Sequence, residues 1–111
     1  MSRPYVCGLD AAVDMIGGKW KVLLLWAMHD QPRRFGELRR LLPGISEKVL
    51  TQHLREMAAD QIVRREAFDE TVPRVEYSLS EFGLSLHEAL RPLGAWGTQH
   101  MDRIAEVRAP A

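Results

Sequence analysis

At 111 residues, 46% of them apolar and three of them tryptophan, the chain has enough material for one domain with a modest core and too little for two. Fifteen Lys and Arg balance fifteen Asp and Glu, and this net charge of zero excludes the uniformly basic surface of a non-specific nucleic-acid coat. The single cysteine, Cys7, excludes an internal disulfide, and no Cys and His spacing matches a structural zinc site, so neither a metal nor a cofactor is expected.

Residues 1–8 read as an irregular arm, because Pro4 and Gly8 discourage regular structure. No signal-peptide pattern opens the sequence and no run of about 18 apolar residues follows, so a cytoplasmic protein without a membrane span is expected. Residues 9–16 fit a short helix with Leu9, Ala12, Val13 and Ile16 on one face and Asp10 and Asp14 on the other; Gly17 and Gly18 break it. Residues 19–29 form a helix that is apolar nearly all round, the pattern of a central buried helix, and this makes Trp20 and Trp26 core residues. A small-molecule pocket lined by the two tryptophans is the alternative, although no convergent polar group accompanies them.

Residues 35–60 read as two short helices joined by a tight turn. Leu38, Leu41 and Leu42 give the first an apolar stripe over 36–42, with Gly36 as its N-cap, and Pro43-Gly44 ends it. Ser46 can cap the second helix, and Glu47 suits the positive end of its dipole. In that second helix Leu50, Leu54, Met57 and Ala58 fall on one stripe, while Lys48, Thr51, Gln52 and Arg55 project from the other side. Lys and Arg neutralise phosphates, Gln pairs with adenine through two hydrogen bonds, and Thr offers a hydroxyl or a methyl to the major groove. The alternative is the solvated face of an ordinary helical hairpin. Charge is unevenly spread: residues 33–65 hold eight Lys and Arg against four Asp and Glu, so the remainder holds seven against eleven, giving +4 and −4.

Two strands are expected at 62–68 and 74–79, the second with Arg74, Glu76 and Ser78 alternating against Val75, Tyr77 and Leu79. Two helices followed by a β-hairpin is the order of a winged helix, in which Arg74 at the root of the hairpin is placed to reach a phosphate or a narrow minor groove. Ser80 caps a last helix whose stripe of Phe82, Leu86, Ala89, Leu90, Leu93 and Trp96 continues toward Met101 and Ile104. So long a stripe exceeds what a small core covers, and packing against a second copy accounts for it better than a closed monomer.

Several words of the sequence together carry a resemblance. They are Ile16-Gly17-Gly18-Lys19-Trp20, Arg34-Phe35-Gly36-Glu37-Leu38-Arg39, Leu42-Pro43-Gly44-Ile45-Ser46 with Lys48-Val49-Leu50-Thr51-Gln52, and Pro73-Arg74-Val75-Glu76-Tyr77-Ser78-Leu79. In this order, over residues 7–96, they resemble the HxlR-type winged helix-turn-helix transcriptional regulators. The resemblance implies a mainly α fold with a small β-hairpin (α+β), a winged helix-turn-helix with N- and C-terminal dimerisation helices. It implies one domain over 1–111, with a flexible tail at 105–111, that binds double-stranded DNA as a bacterial homodimer. DNA contacts are then expected from Lys19, Arg34, Ser46, Lys48, Thr51, Gln52, Arg55 and Arg74. Some relatives use a cysteine in the arm to sense oxidants or electrophiles, which makes Cys7 a candidate sensor against the alternative of an inert thiol. Two positions depart from the family pattern: His53 stands where arginine is common, and Cys7-Gly8 where Cys-Pro is frequent.

Competing functions are a regulator controlled by a small-molecule inducer, a winged helix used for protein contacts, and an enzyme. A protein-docking face over residues 46–55 would carry exposed apolar groups, and only Val49 fits. No nucleophile with a base, no paired carboxylates and no phosphate-cradling loop occurs, and His29, His53, His87 and His100 lie on separate segments.

Overall fold

Residues 4–110 are described by the structure, a computed structural model. Six helices and one hairpin follow one another as α1 (Gly8–Ile16), α2 (Lys19–Met28), α3 (Phe35–Leu41), α4 (Glu47–Ala59), β1 (Val63–Phe68), β2 (Arg74–Leu79), α5 (Glu81–Gln99) and α6 (Met101–Arg108). The α+β winged helix expected from the sequence is present. No helix among the described residues is long and apolar enough to cross a membrane.

Helix α2 lies at the centre because it has almost no polar face to give to water. Leu24, Leu25, Ala27 and Met28 are buried, and α3, α4, α5 and β2 all pack against it. Around them Leu38, Leu42, Ile45, Leu50, Leu54, Met57, Ile62, Val63 and Leu79 complete one core. Burying each large aliphatic side chain of this set contributes roughly 1.5–3 kcal/mol before chain entropy is counted, so one contiguous cluster holds the domain.

The helix ends follow local chemistry. Arg34, one residue ahead of Phe35, is the N-cap of α3 in place of Gly36, because its backbone N–H donates to Glu37 Oε1 at 2.9 Å. Ser46 caps α4 as expected, its Oγ accepting from Val49 N at 3.1 Å. Gly44 takes φ 92° in the intervening turn.

Strands β1 and β2 pair antiparallel from Val63↔Leu79 to Phe68↔Arg74. A third short strand segment adjoins them: Arg33 and Tyr77 exchange two backbone hydrogen bonds of 2.8 Å. The hairpin is thereby tied to the loop ahead of α3.

The join between hairpin and α5 is equally tight. Gln61 turns the chain with a left-handed φ of 63°, and the Ile62 carbonyl accepts from both Ser80 N (3.0 Å) and Ser80 Oγ (3.1 Å). The same Ser80 Oγ caps α5 by accepting from Gly83 N at 3.0 Å. Gly83 is required there, since a Cβ would stand 2.2 Å from the Ile62 carbonyl oxygen.

Three expectations are corrected. Trp26 is 50% exposed rather than core, on the wall of a groove between α2 and α5. Ala58 is exposed, leaving Leu50, Leu54 and Met57 as the buried stripe of α4. Residues 105–108, expected in a flexible tail, continue α6 as helix.

The long C-terminal stripe divides in two. Leu86 and Leu90 pack on the domain's own core, whereas Phe82, Leu93, Trp96, Met101, Ile104 and Val107 stay exposed, as do Leu9 and Val13 on α1. Gly83→Ala is expected to destabilise the fold by about 1–3 kcal/mol through overpacking against the Ile62 carbonyl. Urea unfolding measures this, and a variant as stable as wild type would contradict the close approach.

Candidate nucleic-acid interface

Burial of Leu50, Leu54 and Met57 against α2 fixes the rotation of α4, and the opposite face must then point outward. On it Lys48, Gln52 and Arg55 are exposed and Thr51 is half-buried. Lys48, Thr51, Gln52 and Arg55 line one shallow depression together with Glu47 and Glu56. Thr51 and Arg55 also border a groove between α4 and the hairpin, shared with Leu54, Ala58, Arg65 and Tyr77. Four of the expected residues therefore meet on one surface, with Ser46 at the head of the same helix.

Two carboxylates interrupt this surface, and both have cationic partners. Glu56 accepts an ion pair from Lys21 Nζ at 2.8 Å and a hydrogen bond from Gln52 Nε2 at 3.2 Å. The Lys21 ammonium, and secondly the Gln52 amide, hold its carboxyl below the usual carboxylate range. Glu47 lies 4.0 Å from Arg39 Nη1. The negative charge facing outward from α4 is thus largely offset, and Lys48 and Arg55 make no ion pair among the described residues.

Arg74 is already engaged by other side chains at the root of the hairpin. Its guanidinium is ion-paired with Glu70 and with Glu76 (3.3 Å) and stacks 4.0 Å from the centroid of the Phe68 ring. The Glu70 carboxylate foremost raises its pKa above the ordinary arginine value. A guanidinium already met by two carboxylates and an aromatic face has little positive field left for a phosphate. The exposed cations of β1 are Arg64 and Arg65, neither ion-paired among the described residues, and Arg65 faces α4 across the groove. Their signal in the sequence is two adjacent arginines on a strand one turn after a basic helix.

Lys19 and Arg34 lie on other elements and line neither of these two depressions. Lys19 opens α2, its ammonium 5.0 Å from the Trp20 ring, and Trp20 lies against Gly44 in the turn that leads to α4. Arg34 is exposed at the N-terminus of α3. His53, which replaces the common arginine, is half-buried, and its Nδ1 is buried without a hydrogen-bond partner. Trp26 lines a groove with Val22, His29, His87, Leu90, Arg91 and Gly94, which Trp20 does not border and where the His29 and His87 rings stack 4.4 Å apart. Cys7 is exposed at the N-cap of α1.

Comparison with known proteins agrees with this geometry. The HxlR-like helix-turn-helix model matches residues 15–105. The HTH-type transcriptional regulator YtcD of Bacillus subtilis is 42% identical over 102 residues, which is 92% of this chain and 81% of YtcD. Among solved structures, the redox regulator HypR in its reduced form superposes with a TM-score of 0.84 at 41% identity, covering 90% of this chain and 99% of HypR. The reduced transcriptional regulator YodB of B. subtilis gives 0.76 at 32% identity, covering 89% and 94%. With a family model matching most of its length and relatives above 40% identity, the chain belongs to the HxlR-like helix-turn-helix family of transcriptional regulators, and it is not an enzyme.

Proposed function

We propose that the protein represses transcription by binding an inverted-repeat operator as a homodimer, with α4 of each protomer in the major groove. The observation that carries this reading is the outer face of α4, where Lys48, Thr51, Gln52 and Arg55 stand together and the nearest carboxylate is neutralised by Lys21. Gln52 and Thr51 read base edges, while Lys48, Arg55, the Ser46 end of the helix, Lys19 and Arg34 hold the backbone. Arg65 replaces Arg74 as the hairpin's principal phosphate contact, on the strength of its free charge.

A single recognition helix spans only a few base pairs, so a two-fold dimer is needed for useful specificity. Support for the dimer is the exposed apolar surface of Leu9, Val13, Leu93, Trp96, Met101, Ile104 and Val107, on α1, α5 and α6.

Cys7 is the proposed point of control by oxidants or electrophiles. It is exposed, begins a helix that buries none of its own residues, and adjoins the surface assigned to the dimer. HypR is named a redox regulator, and YodB has been crystallised after diamide treatment. With one cysteine per chain, a disulfide joins two protomers: two thiols lose two protons and two electrons to an oxidant such as diamide. That geometry requires the two Cys7 Cα atoms to come within about 7 Å.

Gln52→Ala should weaken binding to the cognate operator by on the order of 1–3 kcal/mol and random DNA much less. Lys48→Ala and Arg55→Ala should weaken both alike, each lowering the slope of log K against log salt by about one unit. Fluorescence anisotropy over a salt series separates the two patterns, and equal loss on both DNAs for Gln52→Ala would remove it from base reading. For Cys7, diamide should release wild type from DNA and leave Cys7→Ser bound; equal behaviour of the two proteins would make the thiol structural.

A further inference from the structure

Lys21 is the second of two lysines in the first turn of the mostly apolar helix α2, and its side chain is only 12% exposed. Its stem runs past the C-cap of α1, where Gly17 has a φ of 55°. A Cβ at Gly17 would stand 3.0 Å from Lys21 Cδ, so the bare backbone there leaves the lysine its path. The ammonium ends 2.8 Å from Glu56 Oε2 on α4. The other oxygen of the same carboxylate accepts from Gln52 Nε2 at 3.2 Å, one helical turn earlier on the outward face. A half-buried cation, a carboxylate and the amide expected to meet the bases thus form one connected chain that leads to the outer face of α4.

The chain has a consequence for what Gln52 can recognise. An amide side chain carries two N–H donors and one carbonyl acceptor. Facing a carboxylate, only its nitrogen can approach, because the carbonyl oxygen would be repelled. Glu56 therefore sets which way the amide is turned and occupies one of the two N–H groups. One N–H and the carbonyl remain. Adenine presents an acceptor, N7, beside a donor, the N6 amino group, which matches that remainder. Guanine presents two acceptors, N7 and O6, and would leave O6 facing the amide carbonyl. An untethered glutamine can turn both N–H groups toward guanine and loses this discrimination.

We propose that Lys21 and Glu56 are positioning residues that tether the Gln52 amide in the orientation that accepts adenine and rejects guanine at one operator position. The inference rests on α4 being the DNA-facing helix. Lys21 has a second effect in the same place: it neutralises a carboxylate that would otherwise repel the phosphate backbone beside Lys48 and Arg55.

The test is selection of duplexes from a randomised library by the full-length protein, with base frequencies read for wild type and variants. Wild type should enrich adenine over guanine at one position of each half-site, and Gln52→Ala should flatten that position alone. Lys21→Met and Glu56→Ala should each reduce the adenine-to-guanine ratio at that position by roughly tenfold, with the other positions kept, and Lys21→Arg should retain it. Thermal melts of the same preparations establish that the variants are folded, and Glu56→Ala, on an exposed helix face, removes the tether without disturbing the core. An unchanged ratio in folded Lys21→Met and Glu56→Ala, at a position that Gln52→Ala does flatten, overturns the tether and leaves α4 as the reading helix. Undiminished affinity of Gln52→Ala, Lys48→Ala and Arg55→Ala for the selected duplexes overturns the assignment of α4 itself.

Discussion

The structure depends on the burial of α2. A ten-residue helix with four fully enclosed side chains can be covered only by elements from every side, and α3, α4, α5 and β2 each contribute apolar residues to do so. Every functional direction in the molecule follows from that requirement. Because Leu50, Leu54 and Met57 turn toward α2, Lys48, Gln52 and Arg55 must turn away from it. Truncating any of these buried side chains would cost about 2–5 kcal/mol and loosen the rotation of α4 along with the core. Stability and the presentation of the polar face are therefore a single property of the fold.

Electrostatics then refines what packing has placed. The chain has no net charge, yet its outer helix face acts as a basic surface because each acidic residue nearby has its own cation: Lys21 for Glu56 and Arg39 for Glu47. The reverse applies on the hairpin, where Glu70 and Glu76 absorb the charge of Arg74, while Arg64 and Arg65 make no ion pair among the described residues. Counting charges along the sequence treats all arginines alike; ion pairing decides which of them still projects a field.

That difference sets the limit of what was legible in the sequence. Helix and strand positions could be read because local signals agreed with tertiary ones: Ser46 and Ser80 are true caps, Pro43-Gly44 is a true stop, and alternation around Tyr77 marks a true strand. The outward face of α4 was legible for the same reason. The fates of Trp26 and Arg74 were not, since each depends on what the fold brings beside it: the groove between α2 and α5 leaves the indole half exposed, and two glutamates enclose the guanidinium. The bridge between Arg33 and Tyr77 is a pairing of backbone groups with no side-chain pattern to announce it. Lys21 is the instructive case, because a lysine in a mostly apolar helix looks like noise until the third dimension brings Glu56 to it.

The central claim is that the outward face of α4 meets DNA while α1, α5 and α6 meet a second copy. Backbone amide NMR of the protein titrated with a selected operator duplex tests it most directly. The account predicts that shifts on DNA addition concentrate at residues 46–55 and in the hairpin around Arg65, while Leu93, Trp96 and Ile104 hardly move and instead respond to protein dilution. Shifts concentrated on α5 and α6, with α4 unaffected by DNA, would contradict it.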